Sequence, residues 1–193
     1  KTITTDYFPL EGSVVTDSIM TSQEYSNSGS RLYKQTVTTN GNITIEGCTF
    51  DTPCDAIYFE VDRDNLVIRN NTFNVPGGYA VILRGGADFI DNTVIAGKVN
   101  LANSASGEVS GNNFNDVRVK VYNQATATIT GNTINNVSFR PYVIQLTTDD
   151  GIADEFIVTG NTFSGSAAGR AQGLGNNAEG TDTVKLVVSE NIF

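Results

Sequence analysis

The chain has 193 residues, enough for one domain with a buried core, and its 12 Lys and Arg against 21 Asp and Glu give a formal net charge of −9. This charge argues against nucleic acid or an anionic membrane as the main partner, and no apolar run reaches the roughly 20 residues of a membrane-spanning helix. The sequence contains no histidine, which excludes a His-based catalytic triad and a His-ligated metal site.

The first 31 residues lack the pattern that fills the rest of the chain. We therefore expect residues 1–31 to form an N-terminal cap or an irregular first coil, and residues 32–193 to form a repetitive domain. The pattern is still running at Phe193, with no capping segment after it. Because such an open end exposes unpaired strand edges, we expect the sequence to be a piece of a longer protein.

Seven segments of the repetitive region align without gaps on an apolar closing residue. They end at Phe50, Phe73, Val94, Phe114, Ile134, Phe163 and Phe193, and the differences between consecutive end numbers are 23, 21, 20, 20, 29 and 30. The fifth residue before each end is apolar. The residue two before the end is Cys48 in the first segment and Asn in the other six, namely Asn71, Asn92, Asn112, Asn132, Asn161 and Asn191. A repeat at this period predicts stacked structural units.

Each unit has the pattern of a β-strand that ends in a tight turn, as in "ATITGNTI" and "FIVTGNTF". Alternating apolar and polar residues, many of them β-branched, predict strands. Asn tolerates left-handed backbone angles and bonds nearby backbone through its amide, so the repeated Asn residues should stack into a hydrogen-bonded ladder. The recurring Gly-Asn-Thr argues against helices, and the spacing of leucines does not match a leucine-rich horseshoe.

A unit of 20 to 23 residues, extended at about 3.3 Å per residue, has a perimeter of roughly 70 Å. That perimeter suits three short parallel sheets around a narrow core. With its "GNTF"-like repeat and its Asn ladder, residues 32–193 resemble the right-handed parallel β-helix of the pectate-lyase superfamily. The predicted fold class is therefore all-β, a solenoid of about seven coils.

In that superfamily the Asn turn joins the second and third sheets, and polysaccharide binds along the first sheet. The resemblance places the first-sheet strands at 56–61, 79–84, 98–102, 117–122 and 142–147. Alternation predicts an inward set of Ile57, Phe59, Val81, Leu83, Val99, Leu101, Val119, Val121, Ile144 and Leu146. The predicted outward set is Tyr58, Glu60, Ile82, Arg84, Lys98, Asn100, Arg118, Lys120, Tyr122, Gln145 and Thr147.

Four of the twelve basic residues belong to this outward face: Arg84, Lys98, Arg118 and Lys120. Lys98 and Arg118 should lie side by side about 4.8 Å apart, and such like charges are mildly unfavourable unless an anionic ligand neutralises them. The residues predicted to bind a glycan are Tyr58, Arg84, Asn100, Lys120, Tyr122 and Gln145. The alternative is that these long side chains extend into water and pair with nearby acids.

Acidic residues suggest two places for Ca²⁺, which prefers oxygen ligands. Asp88 and Glu108 are predicted at equivalent outward positions on adjacent coils, where they either share a cation or form a solvated pair. The loop candidates are Asp149, Asp150, Asp154 and Glu155. The only predicted cofactor is therefore Ca²⁺ or none.

Cys48 and Cys54 are close enough in sequence to form a disulfide, although the intervening "TFDTP" suits an extended chain better. Whether they pair or stay as free thiols is left open by the sequence.

Three functions are compatible with these residues. The first is a secreted or cell-surface module that binds or presents to glycans without catalysis. The second is a polysaccharide lyase, in which Lys98 would act as the base of a β-elimination, Arg118 would neutralise the uronate carboxylate and Tyr122 would donate a proton, as the resemblance to β-helix lyases implies. The third is a spacer segment of a fibre or adhesin. The expected partner is a polysaccharide, without nucleic acid and without membrane insertion.

Overall fold

The computed structural model describes residues 14–21, 31–35, 42–59, 66–84, 87–102, 107–122, 126–136, 144–148, 155–165, 174–178 and 185–193. These residues form twenty β-strands and no helix, so the prediction of an all-β chain is confirmed for them. Every strand pairing is parallel, with partners about one repeat apart in sequence.

The strands alternate around the molecule in short segments. They are β1 (Val14–Thr16), β2 (Ile19–Thr21), β3 (Arg31–Gln35), β4 (Ile43–Glu46), β5 (Thr49–Asp51), β6 (Asp55–Phe59), β7 (Leu66–Arg69), β8 (Thr72–Arg84), β9 (Ala87–Ile90), β10 (Thr93–Ala102), β11 (Gly107–Ser110), β12 (Asn113–Asn115), β13 (Arg118–Tyr122), β14 (Thr126–Thr130), β15 (Thr133–Asn136), β16 (Ile144–Thr148), β17 (Glu155–Thr159), β18 (Thr162–Gly165), β19 (Leu174–Ala178) and β20 (Lys185–Ser189).

The strands form two sheets, where three were expected from the perimeter of the repeat. An eight-stranded sheet has the order β1-β4-β7-β9-β11-β14-β17-β20. The twelve-stranded sheet contains two ladders, β2-β5-β8-β10-β12-β15-β18 and β3-β6-β8-β10-β13-β16-β19, which share β8 and β10. These two strands run through both ladders without a break, and so they join what would otherwise be separate third and first sheets.

Residues 14–20 belong to a further copy of the repeat, in addition to the seven that the sequence pattern predicts. Val15 pairs with Ile45 and Met20 pairs with Phe50, in the same register that links later coils. Ser18 occupies the position that Asn fills in six of the other copies. The pattern was hard to detect because this copy has neither the Asn nor a Gly in its turn. The domain boundary near residue 31 itself stays a prediction.

The core is a column of apolar side chains between the sheets. The phenylalanines stack along it: the ring centroids of Phe50 and Phe73 lie 4.9 Å apart, those of Phe73 and Phe89 5.9 Å, and those of Phe89 and Phe114 6.3 Å. The predicted inward residues whose side chains are described are all buried, namely Ile57, Phe59, Val81, Leu83, Val99, Leu101 and Val119. Alternation along the strands therefore predicted this core correctly.

The Asn ladder is present and fully bonded over its central steps. Oδ1 of Asn132 accepts hydrogen bonds from the backbone N–H and the Nδ2 of Asn112, both at 2.9 Å. Its Nδ2 donates to Oδ1 of Asn161 and to the carbonyl of Val109, both at 2.8 Å. The same pattern links Asn71, Asn92, Asn112, Asn132, Asn161 and Asn191. Folding removes these amides from water, since Asn71, Asn92, Asn112, Asn132 and Asn161 are almost completely buried. The hydrogen bonds of the ladder replace the bonds to water that are lost.

Cys48 takes the ladder position in the segment that ends at Phe50. Its backbone N–H donates to Oδ1 of Asn71, as an Asn in that position would. Its thiol replaces the amide by bonding the carbonyls of Glu46 at 3.3 Å and Val15 at 3.6 Å. Burial raises the pKa of this thiol. Cys48 and Cys54 are both buried and do not form a disulfide with each other.

The left-handed backbone position is one residue before the ladder Asn, not at the Asn itself as the sequence suggested. A positive φ occurs there in eight copies of the repeat, at Asp17, Gly47, Asn70, Asp91, Gly111, Gly131, Gly160 and Glu190. Glycine fits this conformation without a steric penalty, and Asn and Asp tolerate it better than most other residues. The ladder Asn is thereby free to turn its amide inward.

Two of these glycines allow a matched test of the turn. Gly111 and Gly131 have φ of 64° and 62°, but a Cβ on Gly111 would overlap Oδ1 of Asp91, whereas a Cβ on Gly131 meets nothing within 4 Å. We expect Gly131→Ala to lower the free energy of unfolding by about 1 kcal/mol and Gly111→Ala by about 2 kcal/mol. Urea denaturation of both variants, alone and with Asp91→Ala, measures the difference. Equal losses for the two glycines, or a difference that survives Asp91→Ala, would contradict this account.

Candidate functional site

The outward face of the twelve-stranded sheet brings the predicted ligand-binding residues into rows that cross the strands. One row contains, in register, Tyr58, Ile82, Asn100, Lys120 and Gln145. The neighbouring row contains Tyr79, Lys98 and Arg118. The prediction that Lys98 and Arg118 lie on adjacent coils is therefore confirmed, and the backbones of Asn100 and Lys120 are paired next to them.

Lys98 contacts an aromatic ring that the sequence did not place on this face. Its Nζ lies 5.1 Å from the ring centroid of Tyr79. Strict alternation from Val81 would turn Tyr79 inward, but Ala80 and Val81 are both buried and the register shifts between Lys98 and Val99. This irregularity moves Tyr79 outward, and a single sequence has no pattern that shows it.

Asp55 holds the backbone in this irregular segment. Its Oδ1 accepts a hydrogen bond from the N–H of Tyr79 at 2.9 Å. Gly78 packs so closely on the coil before it that a Cβ would lie 2.9 Å from the carbonyl carbon of Cys54 and from Oδ1 of Asp55. The irregular segment therefore depends on glycine at 78 and on the Asp55 carboxylate, and both help to set the position of Tyr79.

A pocket of about 210 Å³ lies at the corner where β8 and β10 bend. It is lined by Pro76, Gly78, Ile95, Ala96, Gly97, Lys98 and Asp116. Gly97 has a φ of 124°, and a Cβ there would lie 3.1 Å from the carbonyl oxygen of Val75, so the corner also requires a glycine. With Lys98 and Asp116 in its lining, the pocket has one cationic and one anionic side chain.

Asn100 supplies an unused hydrogen-bonding group beside this pocket. Its Oδ1 is buried and has no hydrogen-bond partner in the described part of the chain. An unsatisfied amide oxygen is uncommon and has a free-energy cost.

For the other predicted residues of this face, only the backbone positions are described. Gln145 is paired with Lys120, whereas Arg84 is paired with Ala102, which lies four residues beyond Lys98 on β10. That is roughly 13 Å along the strand. Tyr122 is also paired with Ala102, so Arg84 and Tyr122 share a third row. The backbones of Lys98, Arg118 and Lys120 thus lie together on two adjacent strands, and that of Arg84 lies further along the sheet.

The loop proposed for Ca²⁺ is tested only at Glu155, because Asp149, Asp150 and Asp154 lie outside the described residues. Glu155 accepts a hydrogen bond from Nζ of Lys185, the residue at the paired position on the next coil. Within the described ranges there is no group of three or more acidic or cysteine side chains placed to hold a metal ion. The loop therefore stays a prediction.

The second acidic pair lies on the eight-stranded sheet as predicted. Asp88 and Glu108 occupy equivalent positions on β9 and β11, and Oδ1 of Asp88 accepts a hydrogen bond from the N–H of Glu108 at 3.2 Å. Burial raises the pKa of Asp88, the bond from this N–H lowers it, and the charge of Glu108 raises it again. The net effect on the pKa is upward, so the ionised carboxylate is less favourable in the folded chain than in the unfolded one.

Asp88→Asn should therefore stabilise the protein at neutral pH. A raised pKa means that the folded state binds more protons near the titration range, so stability falls as pH rises through it. Asn removes the charge and keeps an oxygen for the Glu108 N–H, and we expect a gain of about 0.5 kcal/mol at pH 7 that disappears below about pH 4. Urea denaturation at the two pH values, with Glu108→Gln as the control for the neighbouring charge, measures it. A loss of stability at pH 7 would show that the charge is favourable.

No known protein family, curated protein or solved structure matches this chain in the comparisons made. The described residues include no helix long and apolar enough to cross a membrane.

Proposed function

We propose that this chain is a non-catalytic module of a secreted or cell-surface protein, and that it binds an anionic polysaccharide on the outward face of the twelve-stranded sheet. We further propose that its coils close into a right-handed parallel β-helix of about seven coils, like those of the pectate-lyase superfamily. The in-register parallel strands and the buried Asn ladder support that architecture.

The observation that carries the proposal is the register of Lys98 and Arg118 on adjacent strands. Two cations about 4.8 Å apart on a sheet repel each other, and a carboxylate or sulfate between them would relieve the repulsion. Charge-assisted hydrogen bonds to such a group are stronger than neutral ones. The rest of the chain is acidic, so this face is the place where an anionic polymer meets least repulsion.

The neighbouring groups suit a sugar ligand. Tyr79 and Tyr58 are half-buried on the same face, and an aromatic ring can pack against a sugar ring. The amide of Asn100 and the pocket beside Lys98 add hydrogen-bonding capacity and a concave surface. A linear polymer that lies across the coils would contact these groups together.

Binding is favoured over β-elimination by the surroundings of Lys98. The face of the Tyr79 ring attracts the ammonium as a cation, which suits ion pairing with a ligand carboxylate. A general base would have to lose that charge before it could remove a proton. The lyase and the fibre spacer are the alternative functions, and the following experiment distinguishes both of them from binding.

The test is calorimetry at low salt with alginate, polygalacturonate, dermatan sulfate and hyaluronan, using a neutral glucan and duplex DNA as comparison polymers. Absorbance of the unsaturated product is followed in parallel, with and without Ca²⁺. Lys98→Ala should weaken binding to the preferred polymer at least tenfold, and added salt should weaken it further. Lys185→Ala is the matched control, because it removes a lysine from the eight-stranded sheet.

Saturable binding without product, lost in Lys98→Ala and retained in Lys185→Ala, is the expected result. Product formation that is lost in Lys98→Ala would replace the proposal by the lyase. The absence of binding to all four anionic polymers would leave a spacer as the better function. Equal losses in both lysine variants would show that only net charge matters.

A further inference from the structure

Ile95 is an exposed apolar residue at a position where the repeat places polar residues. Its side chain is 48% exposed, in the middle of the stack. In other copies of the repeat, the residue that follows the closing residue is polar: Asp51, Asn74, Asn115, Asn135 and Ser164. One exposed apolar side chain is ordinary on a protein surface, but the backbone and the pocket around Ile95 are not.

A β-bulge places Ile95 outside the regular pairing of the sheet. Phe73 of β8 pairs with Val94 of β10. The next residue of β8, Asn74, pairs with Ala96, so Ile95 has no partner on that strand. Bulges redirect a side chain and are common next to functional sites. Here the redirected side chain lines the pocket beside Lys98.

The pocket has an apolar side and a charged side. Ile95, Pro76 and Ala96 supply the apolar lining, and Pro76 is exposed as well. Lys98 and Asp116 supply one positive and one negative charge. Pockets for a whole drug-sized ligand measure roughly 300 to 1,000 Å³. At about 210 Å³ this pocket is smaller, so it suits one substituent of a sugar and not a whole oligosaccharide.

An acetamido group is a sugar substituent that matches this lining. Its methyl can pack on Ile95 and Pro76, whereas the hydroxyls of a plain uronic acid gain nothing from an apolar surface. Its N–H can donate to the carboxylate of Asp116, which accepts several hydrogen bonds at once. A carboxylate of the ligand then pairs with Lys98, and the charge of Asp116 disfavours a second carboxylate in the same pocket.

We propose that this pocket holds an acetamido group next to a carboxylate, so that the preferred ligand is an acidic polysaccharide with N-acetylated sugars. This inference rests on the proposed function, since it specifies which anionic polysaccharide binds. Two kinds of polymer carry the pair of groups: hyaluronan has them on neighbouring sugars, and polysialic acid has them on the same sugar. Alginate and polygalacturonate have carboxylates without acetamido groups.

The expected preference is opposite to the order of charge density. Polygalacturonate carries a carboxylate on every sugar and hyaluronan on every second sugar, so attraction to Lys98 alone would favour polygalacturonate. Burial of the methyl and the hydrogen bond to Asp116 should reverse this order. We expect hyaluronan or polysialic acid to bind about tenfold more tightly than polygalacturonate.

The test is calorimetry at one salt concentration with fragments of equal length. The ligands are hyaluronan, polysialic acid, alginate, polygalacturonate and a neutral chitin oligosaccharide, which has acetamido groups without carboxylates. Ile95→Asn introduces the side chain that neighbouring copies of the repeat have at this position. It should lower the affinity for the preferred acetamido polymer about fivefold and leave the affinity for polygalacturonate unchanged.

Asn135→Ile is the matched control, because it places the same apolar residue at the same repeat position outside the pocket. It should leave the preference as it is in the parent chain. Circular dichroism checks that both variants keep the fold. Tighter binding of hyaluronan or polysialic acid, reduced in Ile95→Asn and retained in Asn135→Ile, is the expected result. The tighter of the two polymers then shows whether the two groups come from neighbouring sugars or from one sugar.

Three other results would overturn the inference and leave the proposed function intact. Alginate or polygalacturonate could bind at least as tightly as both acetamido polymers. The two variants could have equal effects, or Ile95→Asn none. The chitin oligosaccharide could bind as tightly as hyaluronan and polysialic acid while the anionic polymers still bind, which would mean that the carboxylate is not needed in this pocket. An absence of binding to every polymer would overturn both the inference and the proposed function.

Discussion

Replacing Asn132 by alanine should lower the free energy of unfolding by about 4 kcal/mol, because the side chain is the centre of a buried network. The substitution removes the bonds that the side chain makes to the N–H of Asn112 and to the carbonyl of Val109. It also removes one of the two bonds made by Nδ2 of Asn112, which keeps the carbonyl of Phe89, and one of the two made by Oδ1 of Asn161, which keeps the backbone N–H of residue 132. Each buried polar group left unpaired costs about 1 to 3 kcal/mol, and water reaches a site that is 1% exposed only by opening the turn.

Urea denaturation followed by circular dichroism measures the loss, and hydrogen exchange locates it. Asn135→Ala is the matched control, because the amide of Asn135 lies on the surface and donates to Asn115 at 3.2 Å. We expect the control to cost less than about 1 kcal/mol. Faster exchange should be confined to the coils on either side of Asn132, since each coil of a stack contacts only its neighbours. Equal losses for the two asparagines would mean that the ladder contributes little to stability.

Phe89→Ala should cost a similar amount for a different reason. Phe89 is completely buried and lies between Phe73 and Phe114 in the aromatic column. Its removal takes away apolar contact and leaves a cavity that the rigid sheets on both sides cannot close. Core Phe→Ala substitutions cost about 3 to 5 kcal/mol, and we expect this range here.

Two variants test whether burial is the cause. Phe89→Leu fills most of the space and should cost about 1.5 kcal/mol. Phe193→Ala removes a ring that is 74% exposed, and it should cost less than about 1 kcal/mol. If the loss in Phe193→Ala matched that in Phe89→Ala, the core would not be the column described above.

Part of the site could be predicted because it depends only on the period of the repeat. A spacing of 20 residues places Lys98 beside Arg118, and the same spacing places Asn100 beside Lys120. Arg84 pairs with Ala102 in the regular part of β8, beyond the register shift at Tyr79, and the outward direction of its side chain stays a prediction.

The outward direction of the Tyr79 side chain could not be predicted from the sequence. Its outward direction follows from two adjacent buried residues, Ala80 and Val81, and from the bond between its N–H and the Asp55 carboxylate. The bond between Asp55 and Tyr79 joins residues that are 24 positions apart in sequence. No local pattern around Tyr79 contains this information.

The sequence by itself determined that the chain stacks as parallel strands with an inward apolar column and an Asn ladder. It could do so because each of these features repeats at a fixed interval, and a repeated residue meets its own copy in the next coil. Only the tertiary structure decided that two sheets form instead of three, that the left-handed residue precedes the Asn, and that Tyr79 lies beneath Lys98. These features depend on where a strand bends or gains a residue, and the physical cause is the packing of one coil against the next rather than the order of residues within a coil.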